Sequence, residues 1–379
     1  MFVICALACP VACLGAPAVD PAAEETKIGK READQFAADK TTKFITDPAM
    51  VDRVQTIGNA IAKVANTKTV PALYGKSTVY KFNYTFKIVD DKDINAFSLP
   101  GGFIYVNKGL LDYVQSDDEL AGVLAHECSH AAHHHAMQLM ATQNKQMIGL
   151  AGVLLASALG GVRQGSGLVG IGLVGQLINQ AKTSSYGQQA ETDADLTGIE
   201  YLTETKYNPV GMLTFMERLA RDENRKPEVI YGIYATHPPS QERATAMVAA
   251  IQKLGLPINP RLVTSYLKVQ VKPVANSTAF SLCIADIEII RLTDADGRKA
   301  NERADSIAKQ LRGVLLDDAR YHDVKIGADG RSVVILDETI IAPTQSDADL
   351  AGSTIPALAK ASADHIKDAL MRELLEQAY

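Results

Sequence analysis

The strongest chemical signal in the sequence is a pair of histidines four residues apart, with a glutamate beside the first. Residues 126–130 read His-Glu-Cys-Ser-His. On a helix this spacing places His126 and His130 on one face, about 6 Å apart along the axis, so their imidazoles can converge on one metal ion. The carboxylate of Glu127 can then take a proton from a water that the metal acidifies. The pattern predicts a zinc site that hydrolyses peptide bonds, with a chance histidine cluster as the alternative.

A third metal ligand has to come from another part of the chain. The metzincin pattern requires a glycine at position 133 and a histidine at position 136, but His133 and Ala136 stand there. Glu191 lies on a segment predicted to be helical, and Asp195 follows four residues later on the same face. Two histidines and one glutamate would leave the fourth zinc position open, and Asp195 could hold a ligand histidine through its second nitrogen. A solvated acidic helix start is the alternative explanation for Glu191.

The helix that carries the two motif histidines has a clear start signal. Residues 116–119 read Ser-Asp-Asp-Glu, which is a capping box with acidic residues at the positive end of a helix. We predict that this helix runs from Asp117 to Thr142. Three further histidines, at 133–135, suggest a second metal site. We expect them instead to be a helix surface plus one packed residue without a dedicated metal role.

Helical and extended patterns alternate around this segment. Residues from Tyr80 to Ile88 alternate between apolar and polar types, which predicts a half-buried strand. The sequence Pro-Gly-Gly at 100–102 predicts a turn that leads into a strand over 103–106. Further helices are predicted over 20–46, 48–64, 187–204, 209–222 and 238–254.

The composition changes in the last third of the chain. Residues 262–292 alternate as strands do, and 298–316 have the pattern of an amphipathic helix. We therefore expect an α+β fold in two units: a mostly helical unit with a small sheet over 19–258, and a separate α+β domain over 276–379. Residues 259–275 are expected to link them.

Composition and charge narrow the choice of partners and compartment. The net charge is −6 and no basic block occurs, so we expect no nucleic-acid partner. The first fourteen residues carry no charge, and Ala-Pro-Ala follows at 16–18. This predicts a signal peptide over 1–18, with a lipid anchor or a retained membrane anchor as alternatives. Only Cys128 and Cys283 lie outside that segment, and we expect both to be buried thiols.

An apolar stretch rich in Gly, Ala, Leu and Val covers residues 148–178. The polar run at 163–166 divides it, and each half is too short to span a bilayer. Three interpretations are open: a buried hairpin beside the active site, a lid over that site, or a patch that makes peripheral contact with a membrane. Of these, the hairpin is the one we expect.

Four motifs occur in a fixed order along the chain. Asn-Ala-Phe-Ser-Leu-Pro-Gly-Gly at 95–102 precedes the motif at 126–130, Glu191 with Asp195 follows, and His-Pro-Pro-Ser-Gln-Glu-Arg stands at 237–243. In this order they resemble the gluzincin family of HtpX, the CAAX prenyl protease and the periplasmic protease BepA. The resemblance covers about residues 25–255. It implies a mostly helical zinc endopeptidase domain with one Zn²⁺ per chain.

The resemblance also implies roles for individual residues. It assigns zinc to His126, His130 and Glu191, and the general base to Glu127. It implies that His237 steadies the oxyanion or caps the zinc in a resting state, with support from Arg243. The segment from Asn95 to Val106 would form the edge strand on which a polypeptide substrate lies. The substrate-binding residues would then be Asn95, Ala96, Phe97, Gly101 and Gly102.

Two departures limit what the resemblance implies about function. The membrane-embedded members have several spanning helices, but outside the N-terminal segment this chain has no stretch of sufficient length. It is therefore expected to belong to an exported branch, located in the periplasm or cell envelope and acting on misfolded or membrane-associated proteins. The tetratricopeptide tail of BepA is not visible here. A chaperone-like quality-control protein with a mostly latent zinc site is the alternative function.

Overall fold

The computed structural model describes residues 20–142, 187–225, 232–237 and 241–377. The predicted signal peptide and the apolar stretch at 148–178 lie outside these residues. Within the described parts of the chain, no helix combines the length and the apolar character needed to cross a membrane.

The first unit consists of helices packed around a small sheet. Its helices are α1 (Pro21–Ala38), α2 (Pro48–Ala65), α3 (Lys108–Tyr113), α4 (Asp117–Ala132), α5 (Gln188–Leu202), α6 (Val210–Arg225), α7 (Gly232–Thr236) and α8 (Gln241–Lys253). Its strands are β1 (Phe44–Ile45), β2 (Thr85–Val89), β3 (Ala96–Leu99) and β4 (Phe103–Asn107). The sheet order is β1-β2-β4-β3, so β3 lies at an edge. Strands β2 and β4 run parallel, and the other neighbours are antiparallel.

Helix α4 is the centre of this unit. The Ser116 hydroxyl accepts a hydrogen bond from the Glu119 N–H at 3.1 Å and caps the helix. The reciprocal bond of the predicted capping box is absent, because the Glu119 carboxylate accepts from the Gln115 N–H at 2.7 Å instead. From Glu119 to Ala132 every residue is buried, because α2, α5, α6 and β3 all pack against it. Gly122 permits the close approach of α6, since a Cβ atom there would lie 2.7 Å from the Met212 Cα. The metal motif is therefore held on a rigid, fully packed helix.

Two predicted elements prove shorter than expected. The helix predicted over 20–46 ends at Ala38, and the chain then enters strand β1. Of the strand predicted from Tyr80 to Ile88, only the part from Thr85 is in the sheet, which continues to Val89. The aromatic side chains before it still pack inward, although their backbone has no strand partner among the described residues.

The helix predicted from Asp117 to Thr142 is interrupted. Helix α4 ends at Ala132, and helical conformation resumes over 135–142. His134 adopts a positive φ of 58° between the two parts. The Lys76 N–H donates to the His133 carbonyl at 3.0 Å, which removes that oxygen from helical hydrogen bonding. The break follows from a contact with a distant loop, which helical periodicity does not reveal.

The second unit is built from two small antiparallel sheets and helices, which confirms the α+β fold class. One sheet has the order β5-β6-β7 and the other β10-β9-β8. Strand β5 falls within the segment predicted to be a linker and pairs with β6 along its whole length. The strands are β5 (Val269–Pro273), β6 (Phe280–Ile284), β7 (Ile287–Leu292), β8 (Val324–Ile326), β9 (Val333–Ile335) and β10 (Glu338–Ile341). The helices are α9 (Ala300–Leu316), α10 (Gln345–Leu350) and α11 (Ile355–Gln377).

A buried ion pair at the start of α10 supports this second unit. Arg303 donates to both oxygens of the Asp347 carboxylate, at 2.9 and 2.6 Å. The N–H groups of Thr293 and Thr344 donate to the same carboxylate at 2.8 and 2.9 Å. Burial alone would raise the pKa of Asp347, but these hydrogen bonds outweigh it and lower the pKa to about 2. The charged carboxylate is therefore the form that the folded state binds.

Replacing Asp347 with Asn should destabilise the protein, and the penalty should depend on pH. Removing one partner of a buried pair costs about 3–5 kcal/mol. Because the pKa is lower in the folded state than the unfolded value of about 3.9, the carboxylate stabilises the fold above about pH 4, and this contribution is lost as the pH falls toward 2. Urea unfolding of wild type and variant at pH 7 and pH 3 measures the difference. The exposed Asp349→Asn in the same helix is the matched control, and an equal penalty at both pH values would contradict the prediction.

Candidate metal centre

Four buried side chains converge at the C-terminal half of α4. His126 and His130 come from α4, Glu191 from the first turn of α5, and His237 from the residue after α7. One ligand atom from each lies within 4.8 Å of those of all the others. All four side chains are at least nine-tenths buried. The structure thus brings together residues that are more than a hundred positions apart in the chain.

The spacing of these atoms fits a tetrahedral metal ion. The Nε2 atoms of His126 and His130 are 3.0 Å apart, and Glu191 oxygens lie 3.3 and 3.5 Å from them. The His237 Nδ1 lies 3.2 Å from the His126 Nε2. A tetrahedron with bonds of about 2.0–2.1 Å has edges of about 3.3 Å. Four lone-pair donors at these separations repel one another unless a cation lies between them, so the donor set fits a zinc ion.

Asp195 and Arg243 hold His126 from behind. The Asp195 carboxylate lies 2.8 Å from the His126 Nδ1. Arg243 donates to both oxygens of that carboxylate, at 2.7 and 2.8 Å. Burial alone would lower the pKa of His126, but the neighbouring Asp195 and Glu191 carboxylates outweigh it and raise the pKa to about 10. Asp195 thus contacts the Nδ1 side of the ring, and the Nε2 of His126 faces His130 and His237.

Arg243 also contacts Glu191 and the histidine that follows α7. Its Nη1 lies 3.1 Å from a Glu191 oxygen, and it donates to the His237 carbonyl at 3.4 Å. Burial alone would raise the pKa of Glu191, but the surrounding histidines hold it well below its usual value. Glu191 is therefore a charged ligand, and one guanidinium connects it to Asp195 and to the His237 backbone.

Glu127 lies beside the ligand set and contacts one of its members. Its Oε1 lies 3.4 Å from the His237 Nε2. Its Oε2 is buried and has no hydrogen-bond partner among the described residues. A buried carboxylate oxygen without a partner is costly in a folded protein, and such groups are typical of sites where a reacting molecule supplies the missing proton.

An apolar cleft opens beside this carboxylate. Its lining includes polar residues of the centre, among them His126, Glu127 and His237. The rest of the lining is mainly apolar side chains from α4, α6 and α7, namely Val123, Met212, Phe215, Met216, Leu219 and Ile233.

The prediction that the histidines at 133–135 form a helix surface with one packed residue is wrong. None of the three is a surface residue, because their exposed fractions are 2%, 4% and 0%. On a helix with one face in solvent, successive residues point about 100° apart, so three consecutive residues would not all be buried. The break after Ala132 turns the chain and buries all three. His133 and His135 contact Asp193, and His134 contacts Glu25.

The 95–102 motif covers two structural elements, the edge strand β3 and the turn that joins it to β4. The Asn95 carbonyl accepts from the Asn107 N–H, so backbone groups of Ala96 point away from β4 by alternation. The Phe97 side chain is buried away from the metal centre, stacked on Tyr105 with ring centroids 5.0 Å apart. Gly101 and Gly102 form the turn between β3 and β4, with positive φ values of 79° and 87°.

Sequence reasoning missed that the first residue of this motif and the two residues before it anchor α7. The Asp93 carboxylate accepts from the Gly232 N–H at 2.8 Å, and the Ile94 carbonyl accepts from the Ile233 N–H at 3.2 Å. Thr236 donates to the Asn95 side chain at 3.3 Å. These contacts hold the short helix that ends next to His237. The place of Asn95 at the start of the motif indicates a role for this residue, but nothing in the sequence indicates that it bonds to Thr236.

Comparisons with known proteins agree with this geometry. A family model described as Peptidase family M48 matches residues 48–251. A second model, described as a domain of unknown function, DUF8459, matches residues 284–373. The chain is 29% identical over 205 residues to the putative beta-barrel assembly-enhancing protease of Vibrio cholerae, a match that covers 53% of this chain and 39% of the relative.

Two relatives from Escherichia coli are similar to a comparable extent. The beta-barrel assembly-enhancing protease is 28% identical over 207 residues, which cover 53% of this chain and 38% of that protein. The metalloprotease LoiP is 28% identical over 218 residues, which cover 57% of this chain and 77% of LoiP. The chain thus spans about two fifths of the length of the assembly-enhancing proteases that it matches.

Proposed function

Because the chain belongs to peptidase family M48, we propose that it is a zinc-dependent endopeptidase acting on misfolded or membrane-associated proteins in the cell envelope. The observation that carries this proposal is the convergence of His126, His130 and Glu191 beside Glu127. In this proposal residues 19–258 form the peptidase unit.

The proposed roles follow from which atoms face the centre. The two Nε2 atoms of His126 and His130 and the carboxylate of Glu191 would hold one Zn²⁺. Zinc would supply Lewis-acid chemistry, polarising a substrate carbonyl and acidifying a water. Asp195 orients the ring of His126, and Arg243 in turn orients Asp195.

Glu127 would act as general base and then as general acid. Its Oε2, which has no hydrogen-bond partner among the described residues, would accept a proton as water attacks the peptide carbonyl and would pass that proton to the leaving amine. Both transfers require the carboxylate to stay on the rigid helix α4, where its neighbours are buried on all sides.

His237 supports the proposal that the structure represents a capped, resting arrangement. Its Nδ1 lies 3.0 Å from Glu191 and occupies the fourth corner of the ligand set. Zinc sites that catalyse hydrolysis keep one position open, so the ring of His237 would have to move before substrate binds. After that movement, a ring N–H of His237 could stabilise the oxyanion.

Substrate backbone would lie along β3 as an added strand. The backbone groups of Ala96 and Ser98 point away from β4, because those of Asn95 and Phe97 face it. An extended peptide that pairs with this edge gains main-chain hydrogen bonds regardless of its sequence. In this proposal Phe97 shapes the strand, and Gly101 and Gly102 shape the turn that follows it. None of the three contacts the substrate through a side chain, since Phe97 is buried elsewhere and glycine has none.

Two further parts of the proposal rest on the sequence. The segment 1–18 is proposed to direct export, because its first fourteen residues carry no charge and Ala-Pro-Ala follows at 16–18. The C-terminal domain is proposed to position partners or substrates.

The metal content of the purified mature protein tests the proposal. We expect about one zinc per chain, and cleavage of casein that stops when a chelator removes the metal and returns when zinc is added back. A folded protein without bound zinc, or cleavage that is insensitive to chelation, would overturn the proposal.

The same digestion tests the role of the apolar cleft. Burying a large apolar side chain in it gains about 1.5–3 kcal/mol, so we propose a preference for Leu, Phe or Met next to the scissile bond. Mass spectrometry of the casein fragments identifies the residues that flank each cut. Cuts that occur equally often beside charged residues would show that the cleft does not select the substrate.

The chaperone-like alternative is favoured by one observation, the position of His237 at the fourth corner of the ligand set. A protein in which this cap never leaves would bind unfolded polypeptides without cutting them. The Glu127→Gln experiment described in the Discussion distinguishes the two functions.

A further inference from the structure

The two ligand histidines of α4 are supported in different ways. His126 contacts a carboxylate directly, through Asp195. His130 instead contacts a second histidine, because its Nδ1 lies 2.8 Å from the Nδ1 of His135. The His135 Nε2 in turn lies 2.9 Å from the Asp193 carboxylate. The second ligand is thus connected to a carboxylate through an intervening imidazole.

We propose that His135 is a positioning residue that, with Asp193, fixes the proton of His130 on Nδ1 and so keeps its Nε2 available to a metal ion. This inference rests on the proposed zinc site, and it concerns a contact that the five-residue motif does not contain. The break after Ala132 is what brings the ring of His135 back against His130, with ring centroids 4.9 Å apart.

The contacts from His130 through His135 to Asp193 allow one placement of the ring protons. The His135 Nε2 faces two acceptors, the Asp193 carboxylate at 2.9 Å and the Tyr74 carbonyl at 3.1 Å. It therefore carries the proton of the neutral ring, which leaves the His135 Nδ1 as an acceptor. At 2.8 Å the two facing Nδ1 atoms must share one proton, so His130 donates it. The Nε2 of His130 is then left with a lone pair, as a metal ligand requires.

The acceptor end of this chain is itself fixed in place. The Leu73 N–H donates to one oxygen of Asp193 at 2.5 Å, and the other oxygen accepts from His133 at 2.5 Å as well as from His135. Because Asp193 is held from three sides, rotating it away from His135 would break two further hydrogen bonds. His133 therefore supports the carboxylate, while His135 transmits its effect to the ligand.

The distances favour hydrogen bonds over a second metal ion. The separations of 2.5 and 2.9 Å between Asp193 and the two histidines are near those of charge-assisted hydrogen bonds. Ligand atoms around a zinc ion would be about 3.3 Å apart. Two zinc ions per chain, with the second lost on replacing His133, would overturn the proposal in favour of a second site.

Two variants of His135 distinguish the effect of its hydrogen-bond acceptor from the effect of its side-chain volume. Asn places an amide oxygen close to where the imidazole has its Nδ1, so His135→Asn keeps an acceptor for His130, whereas His135→Leu removes it. Loss of such support typically weakens metal binding about 10–100-fold. We expect His135→Leu to raise the zinc dissociation constant by that factor in competition with a chelator, and His135→Asn to retain most of the affinity.

His134 provides a matched control from the same turn. It is buried and bonds to Glu25 and to the Thr78 carbonyl, on the side away from Asp193. We expect His134→Asn to change the free energy of unfolding without changing zinc affinity. Equal weakening in His134→Asn and His135→Leu would mean that loss of packing, and not loss of the acceptor, is responsible, and the proposal would fail.

The proton positions can be observed without any substitution. In protein labelled with ¹⁵N-histidine, two-bond couplings distinguish the two tautomers. We expect His135 to be protonated on Nε2 and His130 on Nδ1, and a His135 protonated on Nδ1 would overturn the proposal. If the wild type bound no zinc, the proposed function would fail as well; if it bound zinc while His135→Leu bound it equally tightly, only this inference would fail.

Discussion

Replacing Glu127 with Gln is expected to reduce casein cleavage by roughly 10²–10⁴-fold, the range that a general base contributes. Glutamine has the shape of glutamate but cannot accept the proton. Zinc content should stay at the wild-type level, since the ligands His126, His130 and Glu191 are unchanged.

The same substitution should leave the fold intact or make it more stable. The Glu127 Oε2 is buried with no hydrogen-bond partner among the residues described, so the wild-type protein bears the cost of desolvating a charge there. A neutral amide removes that charge. Thermal unfolding should therefore show a midpoint equal to or above that of wild type, as is common where a reactive group is kept at the expense of stability.

The exposed Glu242 in helix α8 provides the matched control. Glu242→Gln makes the same chemical change outside the ligand set and should cleave casein at the wild-type rate. If Glu127→Gln retained full cleavage, the assignment of the base would be wrong. If neither wild type nor variant cut casein while both suppressed its aggregation, the chaperone-like function would replace the peptidase.

A second large effect is expected from Glu191→Gln. Supporting groups around a metal typically contribute 10–100-fold to affinity, so loss of a charged ligand should raise the zinc dissociation constant by at least about 100-fold. The effect should be large because Glu191 supplies the only negative charge among the four side chains of the ligand set. Chelator competition on the purified variant measures this change, and casein cleavage should fall in parallel.

Helix α5 supplies its own control. Glu200 stands in the same helix, partly exposed, and forms an ion pair with Lys68 at 3.0 Å. Glu200→Gln should leave zinc affinity unchanged, because surface ion pairs contribute little and this one is far along the helix from the ligand. An unchanged affinity in Glu191→Gln would exclude this residue as the third ligand and leave His237 to take its place.

The local parts of the site could be predicted because helical geometry sets them. A spacing of four puts His126 and His130 on one face, and the same spacing puts Glu191 and Asp195 on one face of α5. The Ser116 N-cap of α4 and the start of α2 at Pro48 are predictable for the same reason. Each of these predictions depends on residues within one or two turns.

The parts that could not be predicted depend on contacts between distant segments. The bond between Asn95 and Thr236 joins residues 141 positions apart, and no local pattern indicates it. Likewise, the break before His135 occurs where the Lys76 N–H donates to the His133 carbonyl, which a continuous helix would use for its own hydrogen bond. Tertiary contacts override helical propensity at such points. Because the sequence pattern assumes one continuous helix there, it wrongly predicts that the histidines at 133–135 lie on its surface.

The interruption between Ala132 and His135 has a consequence for how this protein can tolerate insertions and deletions. Adding or removing one residue in that turn would leave His-Glu-Cys-Ser-His unaltered, and an alignment would still score the motif as intact. The following helical segment would nevertheless rotate by about 100°, which would carry His135 away from the Nδ1 of His130. Homologues with a different turn length should therefore be judged by whether an acceptor still reaches that nitrogen.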